Sequence, residues 1–279
     1  MNFVILRRNI GSTIFMVFCI VVTTIALASL TAILFSLITQ GMEGMNLAIF
    51  TQSTPPPGGE GGLLNAIVGS IAMCFLGMVI ALFFGIFAGT WLSEFAGDSP
   101  YGSVVRFIND ILLSAPSIVV GLFVYGIFVA PLGGFSGLAG SVALAMIATP
   151  VITRTTEDVL RLQATSLREA SVGLGAPMWT TIILVLWQGA RAGILTGALL
   201  AFARITGETA PLLFTALNNQ FFSLDLTKPT ASLPIVIYNF ALSAYDDQRR
   251  LAWAGALLIA ITVLIVGAIA RIIARESRT

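Results

Sequence analysis

The sequence predicts an all-α, polytopic membrane protein with six transmembrane helices, and three observations carry that expectation. Of 279 residues, 57% are hydrophobic and 10% charged, with a mean hydropathy of +0.97. A soluble domain carries roughly a quarter charged residues, so this chain has too few to cover a water-facing surface. Six stretches come near the about 20 mostly apolar residues that a helix needs to cross the hydrocarbon core. The basic residues also gather in alternate connections, as short loops of inserted proteins require.

The six stretches, taken in order, are about 10–38, 63–92, 104–130, 138–153, 192–217 and 251–273. The first follows Arg7 and Arg8. It is too long for a signal-peptide core and lacks a cleavage site, so it is expected to remain as an anchor. The third contains Ser114-Ala115-Pro116-Ser117, where proline should kink the span; Asn109 and Asp110 just before it are expected to act in packing and hinging. The fourth is short and is expected to run on as helix through residue 162. The whole chain, 1–279, is expected to form one transmembrane domain.

Placing the N-terminus in the cytoplasm puts Arg7, Arg8, Arg106, Arg154, Arg161, Arg168, Arg191, Arg271, Arg275 and Arg278 inside, and only Lys228, Arg249 and Arg250 outside. Both termini are therefore expected in the cytoplasm. Outside lie two connections of different kinds. Residues 39–62 include Pro55-Pro56-Pro57-Gly58-Gly59-Glu60-Gly61-Gly62, which suits neither helix nor strand; it is a connector or a contact for an extracytoplasmic partner. Residues 218–250 are long enough to carry a short interfacial helix.

What is missing excludes whole classes of chemistry. The chain has no histidine, which removes histidine-based nucleophilic catalysis and imidazole-held metals. Its one lysine, Lys228, stands in Leu-Thr-Lys-Pro, whereas a phosphate-cradling P-loop needs Gly-Lys-Ser/Thr. The chain therefore binds no ATP through a P-loop, and any ATP hydrolysis belongs to another chain. A net charge of +1 argues against a nucleic-acid partner. Cys19 and Cys74 lie in apolar runs and read as small packing residues.

Two segments carry candidate function. The first is residues 155–189, the one sizeable cytoplasmic connection. Ser166 and Glu169 form an S-x-x-E pattern, predicting a capped helix from about Leu167. Gly173 or Gly175 should end it in a left-handed turn, and Pro177 suits the first turn of the next helix. The product is a short helix presenting Leu167, Ala170, Leu174 and Met178. The second is Arg204-Ile205-Thr206-Gly207-Glu208 within the fifth stretch. An i, i+4 spacing places Arg204 and Glu208 on one helical face, and charge at membrane depth should face the bundle interior or water. They are either a structural pair or a substrate pathway in which Arg204 offers its guanidinium fork to an oxyanion, with Glu208 orienting it and Thr206 beside them.

Glu169-Ala170-Ser171, followed by Gly175, resembles the EAA motif of ABC importer permeases, with Ser171 in place of the second alanine. Together with the Pro-Gly loop and the Arg204-to-Pro211 run, in this order, the chain looks like the PstA-type permeases of phosphate ABC importers over essentially its whole length. The resemblance implies a type I ABC importer architecture in the bacterial inner membrane. It implies that Leu167, Glu169, Ala170, Ser171, Gly173 and Gly175 form the helix that couples to the ATPase. It also implies a homologous PstC-type permease, a cytoplasmic PstB-type ATPase dimer that binds ATP and Mg, and a PstS-type phosphate-binding protein. Permeases for sulfate, molybdate or phosphonate, and a non-transporting scaffold or sensor subunit, remain alternatives on the residues alone.

Overall fold

A computed structural model describes the backbone of residues 2–276 and the side chains of residues 11–274; the side chains of Arg7, Arg8, Arg275 and Arg278, used above for orientation, lie outside the described residues. All regular structure among the described residues is helical. Besides a single helical turn at Ala48–Thr51, the helices in chain order are α1 (Asn2–Gly44), α2 (Leu64–Ala96), α3 (Pro100–Ser114), α4 (Ser117–Leu132), α5 (Gly137–Arg161), α6 (Thr165–Gly173), α7 (Met178–Thr206), α8 (Ala210–Leu213), α9 (Leu233–Ala241) and α10 (Asp246–Glu276). The last five residues of α2, Leu92–Ala96, form a wide π turn, and so do Thr181–Leu186 in α7.

Five helices, α1, α2, α5, α7 and α10, are long and apolar enough to span a membrane; α3 and α4 make a sixth span if taken together, bent by 105° at their junction. The expected kink is thus a full break. Pro116 has no N–H to continue the ladder and drives Ala115 to extended geometry (φ −64°, ψ 136°). The Ser114 hydroxyl donates to the carbonyls of Asp110 and Ile111, at 3.0 Å each. Asn109 Nδ2 donates to the Pro150 carbonyl at 3.3 Å, tying α3 to α5, while Asp110 is exposed.

The bundle is organised around α5, which extends through Arg161 and packs between α2 and α7. Lipid offers no hydrophobic drive between helices, so close backbone approach has to hold them. Glycines permit it. A Cβ at Gly85 would lie 2.8 Å from Ile152 Cβ, and one at Gly89 only 2.5 Å from the Thr153 carbonyl oxygen. On α7, Gly193 and Gly197 sit against Val159 and Thr155 in the same way. Met73, Leu144, Ile152, Ala201 and Ile205 fill the seam between the three helices. By contrast α1 is exposed along nearly all of its described length and touches α10 near Gly41 and Gly44.

Two connections complete the bundle. The Pro55–Gly62 run is irregular, with Gly58 at φ +77° and a Gly59 N–H to Pro56 carbonyl bond of 3.0 Å. Asn65, at the start of α2, accepts from the Thr54 N–H at 3.0 Å and donates to the Asn219 carbonyl at 2.8 Å, so it pins this loop to residues 218–232. The short helix expected in this connection is α9, and it turns one face into the bundle while Tyr238, Asn239 and Ala241 stay exposed. Leu233, Ile235, Val236 and Phe240 pack inside the bundle, and the Leu233 N–H donates to Ser70 Oγ at 2.7 Å.

Candidate functional site

The helix α6 stands at the arginine-rich end of the bundle, between the ends of α5 and α7. The expected capping box does not form. Ala164 is the extended residue before the helix (φ −60°, ψ 134°), Ser166 is already helical, and no side chain caps the start. Arg168 sets the first turn instead: its Nη1 and Nη2 donate to the carbonyls of Gln163 and Leu160, both at 2.9 Å, holding α6 against the last turn of α5. The far end follows the sequence. Gly175 adopts φ +80°, its N–H bonds the Val172 carbonyl at 2.9 Å, and the Ala176 N–H bonds the Ser171 carbonyl at 3.1 Å. This is the paired Schellman pattern. Gly173 stays in the helix.

The six residues expected to act together divide between two faces. Leu167, Glu169, Ala170 and Gly173 are exposed, and Leu174 beside them is 89% exposed. Ser171 turns inward, where its hydroxyl shares a buried 2.7 Å hydrogen bond with that of Thr181 on α7. Thus α6 offers an apolar surface outward and is fastened from behind. Helix runs to Arg161 in α5 and resumes at Met178 in α7, on either side of α6.

What fastens α6 was not singled out from the sequence. Arg168 Nε and Nη2 grip the carboxylate of Glu94 at 2.8 and 2.7 Å, and Ser93 Oγ donates to the same group at 2.8 Å. The Glu94 side chain is 2% exposed. These hydrogen bonds raise the Arg168 pKa above its ordinary value, so its charge persists throughout the physiological pH range. Nearby, Glu157 on α5, also 2% exposed, receives Arg106 Nε at 2.7 Å and Arg161 Nη2 at 3.0 Å. Arg106 Nη2 also donates to the carbonyls of Leu92 and Gly97, at 3.0 and 2.8 Å. Two acids at the ends of apolar stretches were the available signal, since a buried carboxylate requires a partner.

The fifth stretch departs most from expectation. α7 ends at Thr206, Gly207 forms its cap (φ −100°, ψ 3°), and the chain restarts as α8 at Ala210. Arg204 and Glu208 therefore share no helix, and among the described residues they form no ion pair. The reason is Pro211, whose ring would collide with the carbonyl four residues before it and which has no N–H to offer. Pro211 instead starts α8 and packs against Gly121 of α4. Thr206 bonds back to the Phe202 carbonyl at 2.7 Å and lines a cavity of about 210 Å³ with Ser70 and Cys74. It lies two residues, about 200°, around the helix from Arg204.

Arg204 itself is exposed and has no hydrogen-bond or ion-pair partner among the described residues. The antiparallel register that places Gly193 beside Val159 and Gly197 beside Thr155, extended by two turns, sets Arg204 level with the middle of α5. Level with the middle of α5, then, the bundle holds a cation on its surface.

Comparison with known proteins places this arrangement. A family profile described as "Binding-protein-dependent transport system inner membrane component" matches residues 81–279. The phosphate transport system permease protein PstA of Pasteurella multocida is 53% identical over 240 residues, 86% of each chain. That of Yersinia pestis is 54% identical over 242 residues, covering 86% of this chain and 82% of its own. A probable PstA of Methanocaldococcus jannaschii is 34% identical over 93% of this chain and 92% of its own. Among solved structures, a chain of the MetNI methionine ABC transporter in an inward-facing conformation superposes with a TM-score of 0.64 at 21% identity, over 77% of this chain and 95% of that one. The shared fold is that of an ABC importer permease. The chain belongs to the binding-protein-dependent transport system inner membrane components and, among them, to the PstA permeases.

Proposed function

We propose that this chain is the membrane-spanning subunit of an importer that carries inorganic phosphate across the bacterial inner membrane, driven by ATP hydrolysis on a separate subunit. The observation that carries the proposal is 53% identity to a phosphate permease over 86% of both chains. The chain's own residues support it. Arg204 is a mid-span guanidinium whose side chain has no partner among the described residues, and such a group belongs against a water-filled cavity or a neighbouring subunit. Its planar fork suits a tetrahedral oxyanion. Glu208 and Thr206 would line other parts of the pathway rather than hold Arg204 in place.

In this proposal the arginine-rich end faces the cytoplasm, both termini with it, and α6 docks on the ATPase. A homologous permease of the PstC type completes the pathway's other wall. An ATPase dimer of the PstB type binds ATP and Mg, and a PstS-type protein delivers phosphate. The exposed apolar face of α6, set on a fixed turn at Gly175, supports the docking role. Glu169→Lys places an opposite charge on that face and is expected to uncouple hydrolysis from uptake; unchanged coupling would remove α6 as the docking element.

The experiment for the function as a whole is reconstitution of the complete transporter in vesicles, with ATP hydrolysis measured against a series of anions delivered by the binding protein. Phosphate is expected to stimulate hydrolysis and to accumulate. Stimulation by sulfate, molybdate or phosphonate instead would replace the cargo, and no anion-stimulated flux at all would leave a scaffold or sensor role.

A further inference from the structure

We propose that the Glu94–Arg168 ion pair is the joint through which α6 moves the spans, a positioning pair that couples ATP hydrolysis to transport; the proposal rests on the importer function above. The helix α6 has nine residues, and among the described residues its side-chain polar bonds to other elements come from Arg168 and Ser171 alone. Through Ser171 it meets α7. Through Arg168 it meets α2 at Glu94 and the end of α5 at the Leu160 and Gln163 carbonyls. One guanidinium thus joins the moving helix to two spans.

The receiving element is built to be turned as a unit. Glu94 sits in the π turn Leu92–Ala96, and such wide turns inside helices recur at functional sites. Two arginines from different helices hold this turn: Arg168 grips its carboxylate, and Arg106 of α3 donates to the Leu92 and Gly97 carbonyls at its two ends. Arg106 also bonds Glu157, so the same layer continues into α5. A bidentate guanidinium–carboxylate bond fixes direction as well as distance, whereas apolar contacts alone could slide. With Glu94 2% exposed, separating the pair would strand a buried charge. A push on α6 is therefore passed on to the ends of α2, α3 and α5.

The test is a double-mutant cycle in the complete reconstituted transporter, reading phosphate moved per ATP hydrolysed. Glu94→Gln and Arg168→Lys preserve side-chain volume and are expected to co-purify with the partner subunits. Each is expected to lower the coupling ratio about tenfold, and the double variant to fall no further, because the two residues act as one unit. ATP hydrolysis without loaded binding protein should hold steady or rise. A merely structural role predicts that uptake and hydrolysis fall in parallel with an unchanged ratio, and that result, or losses that multiply in the double variant, would overturn the proposal. If another oxyanion drives the unaltered complex, the phosphate assignment fails while the same cycle, read with that anion, still decides the joint.

Discussion

The arginines at the end of the bundle and the arginine in its middle are treated in opposite ways by the same fold. Around α6 the two buried carboxylates, Glu94 and Glu157, are each met by a guanidinium at 2.7 Å. At the break between α7 and α8, the Arg204 side chain is left exposed with no partner among the described residues. A charge that the chain satisfies itself serves the chain's own architecture. A charge left open level with the middle of α5 would cost at least about 2.5 kcal/mol if lipid alone surrounded it, and its retention points to something outside the described residues, whether water, cargo or a second subunit.

The contrast can be broken most severely at Glu157. Glu157→Ala strands Arg106 and Arg161 and is expected to cost about 3–5 kcal/mol, read as a lowered unfolding temperature and a lower yield of assembled complex. An unchanged unfolding temperature would mean that the paired layer is dispensable. Arg204→Ala should do the reverse: stability and assembly held or raised, uptake lowered about a hundredfold, the loss of a charged hydrogen bond of about 1.5–3 kcal/mol. Normal uptake by that variant would take Arg204 out of the pathway.

Two smaller effects sharpen the picture. Gly175→Ala forces a side chain into the left-handed region at φ +80°, at about 1–2 kcal/mol; faster hydrogen exchange confined to the end of α6 is the expected sign. Glu208→Gln should be nearly silent in stability, within about 0.5 kcal/mol, because Glu208 does not hold Arg204. A loss comparable to that of Glu157→Ala would show that the two residues pair after all.

The sequence by itself determined the features that depend on near neighbours in the chain. Apolar runs of span length placed the helices, Pro116 marked the break between α3 and α4, and the Gly175 turn followed from glycine's freedom at positive φ. The lone lysine outside any P-loop pattern sent ATP chemistry to another chain. The i, i+4 argument for Arg204 and Glu208 failed although it too was local, because Pro211 outweighed the helical period and ended α7 at Thr206. Only the tertiary structure decided the rest. Glu94 and Arg168 stand 74 residues apart in the chain, and Arg106 and Glu157 stand 51 apart. No periodicity links them; they meet because glycine contacts bring α2 and α5 close enough for buried acids to find the arginines that arrive with α3 and α6. The inward face of α9 has the same origin, since which side of a short apolar helix is covered depends on which neighbours close over it.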